Sequence, residues 1–341
     1  MLIPPGIGKH KELSTSYTKF DFLLQDLLKN RFSGYLKLSF WGFEGVLILD
    51  MGRIIQAYSS EQDNYLIGEP SVLRILHKAE ENDGGIEVYQ LLSEITISLG
   101  FAIRAEPYQN LKNAKGSDFS NVLNTIENKS LTGYLDLQFS GKRGIATIYF
   151  LEGTPVESIV MSSNGNLVSG EKLFDKIAET SNLIQTIEVY STSDSDPLIS
   201  ESAFIIPWAH QKYFNFWKEF LHYLDTLLER KLKRQTFFEL LKLERLNLSN
   251  EYPFLYPEIN KIKISNGIFE IQNIMCHGEF LRAFVQLHKN IFTEIPPRKL
   301  KKIEFSKVIS ESKEIAKKNY LDSQQFDPER FILKVLDGII K

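Results

Sequence analysis

The sequence predicts an α+β protein: two repeated modules, each a small, mainly antiparallel sheet flanked by helices, followed by a mostly helical C-terminal domain with a small hairpin. Three observations carry that prediction. The stretch from Gly34 to Tyr89 recurs from Gly133 to Tyr190. Inside each copy, apolar and polar residues alternate in short runs bounded by glycine. Beyond Pro207 the alternation gives way to apolar residues three and four positions apart.

The repeat fixes the organisation. Gly34-Tyr35-Leu36-Lys37-Leu38-Ser39-Phe40 matches Gly133-Tyr134-Leu135-Asp136-Leu137-Gln138-Phe139, and Gly42 and Gly45 match Gly141 and Gly144 at the same offset. Ile86-Glu87-Val88-Tyr89 matches Ile187-Glu188-Val189-Tyr190 with the offset grown by two, which places a two-residue insertion between Gly45 and Gly52. The expected division is a tail over residues 1–17, modules over 18–106 and 117–191, a linker over 192–206 and the C-terminal domain over 207–341.

Each module opens with a helix, because Phe22, Leu23, Leu27 and Leu28 in the first copy, and Phe119, Val122, Leu123 and Ile126 in the second, share helical spacing. Residues 35–40 and 134–139 then alternate with the two-residue period of a strand that buries one face. The following glycines reverse the chain into return strands over residues 46–49 and 145–151. Asp50-Met51-Gly52 and Leu151-Glu152-Gly153 turn it again, into strands over 53–58 and 154–161. A polar loop, a second helix (Val72, Leu76; Leu173, Ile177) and the Ile-Glu-Val-Tyr strand complete the module.

Ser, Asp and Thr around Pro197 read as a linker. Residues 208–246 read as two helices or one broken helix, with Trp208 and Trp217 on a core-facing side, ended by Tyr252-Pro253 and Tyr256-Pro257. A hairpin is expected around Ser265-Asn266-Gly267. Helices follow over residues 279–292, 305–319 and 328–340, the last with Asp327 as N-cap before Pro328.

The residues of the repeat resemble the PATAN-type domain of unknown function (DUF4388). In the first copy the pattern is carried by Gly34, Leu36, Leu38, Gly45, Gly52, Ile54, Ile55 and Ala57; in the second by Gly133, Leu135, Leu137, Gly144, Gly153, Val156 and Ser158. Pro155 and Ser158 depart from it. The resemblance implies a non-catalytic interaction module of prokaryotic signalling, often joined to receiver domains and, in cyanobacterial examples, linked to pilus-dependent motility. No receiver domain is visible in this chain.

The chemistry-bearing residues assemble into no catalytic pattern. Six histidines are scattered through 341 residues, and Cys276, His277, Glu279 and His288 lack the spacings that set zinc ligands on one face. Glu87 and Glu188 repeat by descent, a whole module apart, and make no acid/base pair. The glycines at 141 and 144 precede a strand and lack the Gly-Lys-Ser/Thr ending of a phosphate loop. A single cysteine excludes an intramolecular disulfide framework. Neither enzymatic activity nor a cofactor or metal is expected.

The net charge of −3 hides an asymmetry: residues 1–200 hold 17 basic against 25 acidic side chains, and residues 201–341 hold 23 against 18. Basic clusters occur at Arg230-Lys231-Lys233-Arg234, Arg298-Lys299-Lys301-Lys302 and Lys313-Lys317-Lys318, but a pI near 6.1 argues against nucleic acid as the partner. No apolar run is long enough for a signal peptide or a membrane span, so a cytoplasmic protein is expected.

The candidate partner-binding residues are Phe40, Trp41 and Phe43, three aromatics at the first hairpin tip where the second copy has Phe139-Ser140-Gly141-Lys142. The function expected from the sequence is a non-enzymatic regulatory or scaffold protein working through protein partners, a signalling or motility component among them. The alternative is a small-ligand or nucleotide sensor with a pocket between the two modules.

Overall fold

Runs such as Val46-Leu47-Ile48-Leu49 and Ile148-Tyr149-Phe150 are apolar at every position, a pattern that suits strands covered on both faces. The computed structural model describes residues 1–111, 116–170, 172–192, 199–232, 237–259, 261–265, 268–321 and 326–339. The chain divides into two units, Met1–Ala203 and Phe204–Lys341.

In the first unit the elements are β1 (Ile7–Ser14), α1 (Phe20–Lys29), β2 (Gly34–Phe40), β3 (Phe43–Asp50), β4 (Arg53–Glu61), β5 (Asn64–Ile67), α2 (Glu69–Lys78), β6 (Gly85–Gln90) and α3 (Ser93–Ala102). The second copy follows as β7 (Glu106–Pro107), α4 (Phe119–Asn128), β8 (Gly133–Phe139), β9 (Gly144–Leu151), β10 (Thr154–Ser162), β11 (Leu167–Ser169), α5 (Lys172–Glu179), β12 (Ile184–Ser191) and α6 (Ile199–Ser202). Both sheets have six strands, all antiparallel. Their orders, β1-β6-β2-β3-β4-β5 and β7-β12-β8-β9-β10-β11, are the same.

Three features depart from expectation. Residues 1–17 are not a free tail: β1 pairs with β6, from Ile7 opposite Gln90 to Ser14 opposite Gly85. The polar loop before the second helix contains a further edge strand, β5 or β11. Helix α1 turns Phe22 to solvent and buries Phe20, Leu24, Leu27 and Leu28, whose spacing closes a tighter stripe.

The turns Met51-Gly52 and Glu152-Gly153 hold φ values of 48° and 74°, and of 50° and 84°. Positive φ at both loop residues is the type I′ hairpin geometry, which explains a glycine second in each turn.

One face of the second sheet is covered by its own helices. Phe119, Val122 and Ile126 of α4 and Ile177 of α5 pack on Leu135, Leu137, Ile148, Phe150 and Val189. The opposite faces of both sheets meet in a shared cluster. It joins Tyr35, Val46, Ile48 and Ile55 of the first sheet to Tyr134, Tyr149 and Ile159 of the second, with Ile95, Leu99, Phe101 and Ala102 of α3 between them. The strand expected to bury one face, β2, therefore also buries Tyr35 on the other, and residues 45–50 of β3 are all buried.

The second unit contains β13 (Phe204–Ile205), α7 (Gln211–Leu232), α8 (Phe237–Asn247), β14 (Ile262–Ser265), β15 (Ile268–Ile271), β16 (Met275–Cys276), α9 (His277–Glu294), α10 (Pro297–Leu300), α11 (Phe305–Lys318) and α12 (Pro328–Leu336). Strand β13 pairs with β16, and β14 with β15; Asn266 and Gly267 of the expected turn lie outside the described residues. An aromatic core forms around the fully buried Trp217, ringed by Phe216, Phe220, Phe280, Phe284, Phe326 and Phe331. Trp208, expected in the core, lies in the turn before α7 and is 40% exposed. Asp327 caps α12, accepting hydrogen bonds from the backbone N–H groups of Glu329 and Arg330.

Candidate functional site

The β2–β3 hairpin closes with a two-residue loop, Trp41-Gly42, between the paired residues Phe40 and Phe43. Gly42 has φ 72°, a conformation that glycine accepts at no steric cost. The three tip aromatics part company there. Phe43 is 4% exposed and Phe40 is half-buried, whereas Trp41 is fully exposed.

Lys78, at the end of α2, holds the two phenylalanines. Its Nζ sits 5.9 Å from the Phe40 ring centroid and 5.8 Å from that of Phe43, within cation–π range. The same ammonium reaches Glu81 at 3.1 Å and Glu61 at 3.5 Å, and Arg74 pairs with Glu61. The Glu81 hydrogen bond raises the Lys78 pKa, so this charge persists at neutral pH. Lys78 lies thirty-five residues beyond Phe43, and no local spacing announces the contact.

The second copy builds its tip otherwise. Strand β8 ends at Phe139 and β9 begins at Gly144, so the loop has four residues where the first copy has two. The register confirms the placement: Gly34 faces Leu49, and Gly133 faces Phe150. The two-residue insertion is thus in the hairpin tip, not between Gly45 and Gly52. Gly45 corresponds to Ala146, and Phe43 to Gly144.

Between the sheets, each copy stacks a tyrosine pair: Tyr35 on Tyr89 at 4.9 Å and Tyr134 on Tyr190 at 4.6 Å. The Tyr89 hydroxyl donates to Glu87, and that of Tyr190 to Glu188 at 3.0 Å. The Glu87 hydrogen bond, with burial adding to it, pushes the Tyr89 pKa up to about 12. The first residues of the chain run into this layer. Tyr149 donates to the carbonyl of Leu2 at 2.7 Å, Tyr35 to that of Pro4 at 3.1 Å, and the Leu2 N–H donates to Thr147 Oγ1 at 2.9 Å. Helix α3 and residues 2–4 therefore pack in the layer between the two sheets.

The remaining candidates separate. Cys276 ends β16 with its thiol pKa raised by burial, His277 opens α9, and His288 lies in the aromatic core. Among the described residues no group of three or more His, Cys, Asp or Glu could hold a metal ion. His288 Nδ1 lies 2.6 Å from the carbonyl of Phe284, which assigns its proton to Nδ1; its buried Nε2 has no hydrogen-bond partner among the described residues. Burial lowers its pKa to about 4. Two lysines of the basic clusters have partners, Lys313 with Glu329 and Lys318 with Glu219 at 2.8 Å, and Lys233 and Arg234 lie outside the described residues. No helix among the described residues is long and apolar enough to cross a membrane.

A duplicated six-stranded antiparallel module, packed sheet on sheet, defines the class: an α+β protein with an internal tandem repeat. The chain belongs to the DUF2226 family, described as an uncharacterized protein conserved in archaea, whose model matches residues 7–100 and again 102–200. Each match begins at or just before the edge strand β1 or β7 and closes at α3 or α6. The resemblance to the PATAN-type domain (DUF4388) does not hold, because the family match is to DUF2226 in both copies and not to PATAN. The glycines and leucines that carried it are what any tight antiparallel meander over helices requires. No curated protein and no solved structure matches the chain.

Proposed function

We propose that the protein is a non-enzymatic scaffold or regulatory protein that engages a protein partner through the β2–β3 hairpin tip. One observation carries the reading: Trp41 is fully exposed on a two-residue loop whose base is pinned by Lys78 against Phe40 and Phe43. An exposed tryptophan on a pre-ordered support loses little conformational entropy on binding, and tryptophan is enriched at binding hot spots. The signalling and motility setting came with the PATAN resemblance and goes with it.

The test is affinity capture from the source cells with wild-type protein and Trp41→Ala. Phe43→Ala serves as a control for damage to the hairpin base. Loss of a discrete partner with Trp41→Ala, while the melting temperature stays at the wild-type value, supports the reading. Unchanged recovery of every captured protein overturns it.

A further inference from the structure

A strand paired on one side only offers its other edge to a third strand. In the second unit, β14 and β15 form a two-stranded sheet among the described residues. The Gln272 N–H donates to the carbonyl of Lys261 at 2.8 Å, and the register continues through Ile262 opposite Ile271, Lys263 opposite Glu270 and Ile264 opposite Phe269. Hydrogen-bonded and non-hydrogen-bonded pairs alternate in an antiparallel ladder. Residues 261 and 272 are hydrogen-bonded, so 263 and 270 are too. Phe269 and Ile271 are then non-hydrogen-bonded, and their N–H and C=O groups point away from β14. Neither amide donates to another residue among the described ones.

A cleft of roughly 340 Å³ runs along this edge. Residues 269–272 form one wall, drawn from both faces of β15, as an edge requires. The other wall is the start of α7 with the turn before it: Trp208, Gln211, Phe214, Asn215 and Lys218. Helix α7 packs against β15, so a third strand would lie over the exposed Gln211, Asn215 and Lys218. From Gln211 to Lys218 the helix rises about 10 Å, the length of about three residues of extended chain. One end of the cleft has the partly exposed Trp208 and the other the exposed Lys218, which has no ion-pair partner among the described residues.

We infer that this cleft binds an extended peptide segment that adds to β15 as a third strand, with an apolar residue at Trp208 and an acidic residue on the same face of the added strand at Lys218. The four outward backbone groups supply affinity without side-chain specificity. Lys218 and Trp208 supply the specificity, and the exposed Glu270 opposes an acidic residue beside it on the outer face. The inference is independent of Trp41 and stands or falls without it.

The test uses the full chain and three blocked octapeptides: one of alternating threonine and valine ending in glutamate, the same ending in lysine, and the glutamate peptide N-methylated at alternate residues. Binding is read by calorimetry, and amide hydrogen exchange is followed at single residues. The glutamate peptide is expected to bind at least tenfold tighter than the other two. It is also expected to slow exchange at Phe269 and Ile271 at least tenfold while leaving Glu270, already bonded within the hairpin, unchanged. Lys218→Glu should reverse the preference toward the lysine peptide. Absence of binding by all three, equal binding of the N-methylated peptide, or binding with unchanged exchange at Phe269 and Ile271 would each overturn the inference.

Discussion

The two modules share strand order, the type I′ turn and the stacked tyrosine pair, yet differ at three places. The first copy has an eight-residue edge strand, β1, where the second has two residues, β7. It has a ten-residue α3 where the second has the four-residue α6. Its tip is a short loop bearing Trp41 over a phenylalanine base, and the other is a longer loop bearing Ser140 to Arg143. The parts that stayed alike are those that shape a sheet. The parts that diverged are edges, tips and the helix between the sheets, where change does not disturb the ladder.

The largest expected effect comes from breaking the tip's base. Phe43→Ala removes a buried ring that the second module lacks, since Gly144 occupies that position; unfolding in denaturant should show a loss of about 3–5 kcal/mol. A loss below about 1 kcal/mol would mean that the two tips are energetically alike and that Lys78 needs no aromatic partner.

The next effect separates the two units by pH. The first unit's histidines, His10 and His77, are exposed, whereas His288 is buried and neutral. Its folded pKa, about 4, is depressed below the ordinary 6.5, so the unfolded chain binds the proton more readily. Stability is then fully present above pH 6.5 and falls with pH toward 4, by on the order of 3 kcal/mol. Hydrogen exchange should show this acid sensitivity in the second unit, and His288→Leu should flatten it. An equal acid response in the variant would assign it to other groups.

The smallest effect is expected from exchanging the tips. Replacing Trp41-Gly42 with the four residues Ser140 to Arg143 lengthens a loop without shifting the strands. The cost should stay below about 1 kcal/mol by thermal unfolding. A severe loss would place the insertion back inside the strands, where two extra residues would move every later cross-strand pair off its partner.

Much of this was legible in the chain. The repeat shows as a match between two stretches a whole module apart, and the meander strands, the glycine turns and the helical C-terminal third follow from patterns within about twenty residues. The position of the insertion was not legible, because Gly45 and Gly144 align as letters while the hydrogen-bond register pairs them with different neighbours. Of Phe40, Trp41 and Phe43, composition suggested one exposed aromatic cluster. Only the return of α2, which brings Lys78 over two of the rings, shows that Trp41 alone projects.

By itself the sequence determined which segments become strands and helices and that the module occurs twice, since these rest on local steric and solvation preferences of neighbouring residues. Tertiary structure alone decided that the two sheets meet through α3, that Ile7–Ser14 join the first sheet, and that among the described residues β15 keeps an open edge over α7. Those outcomes depend on which surfaces far apart in the chain bury each other, and a pattern read along one dimension carries no record of that pairing.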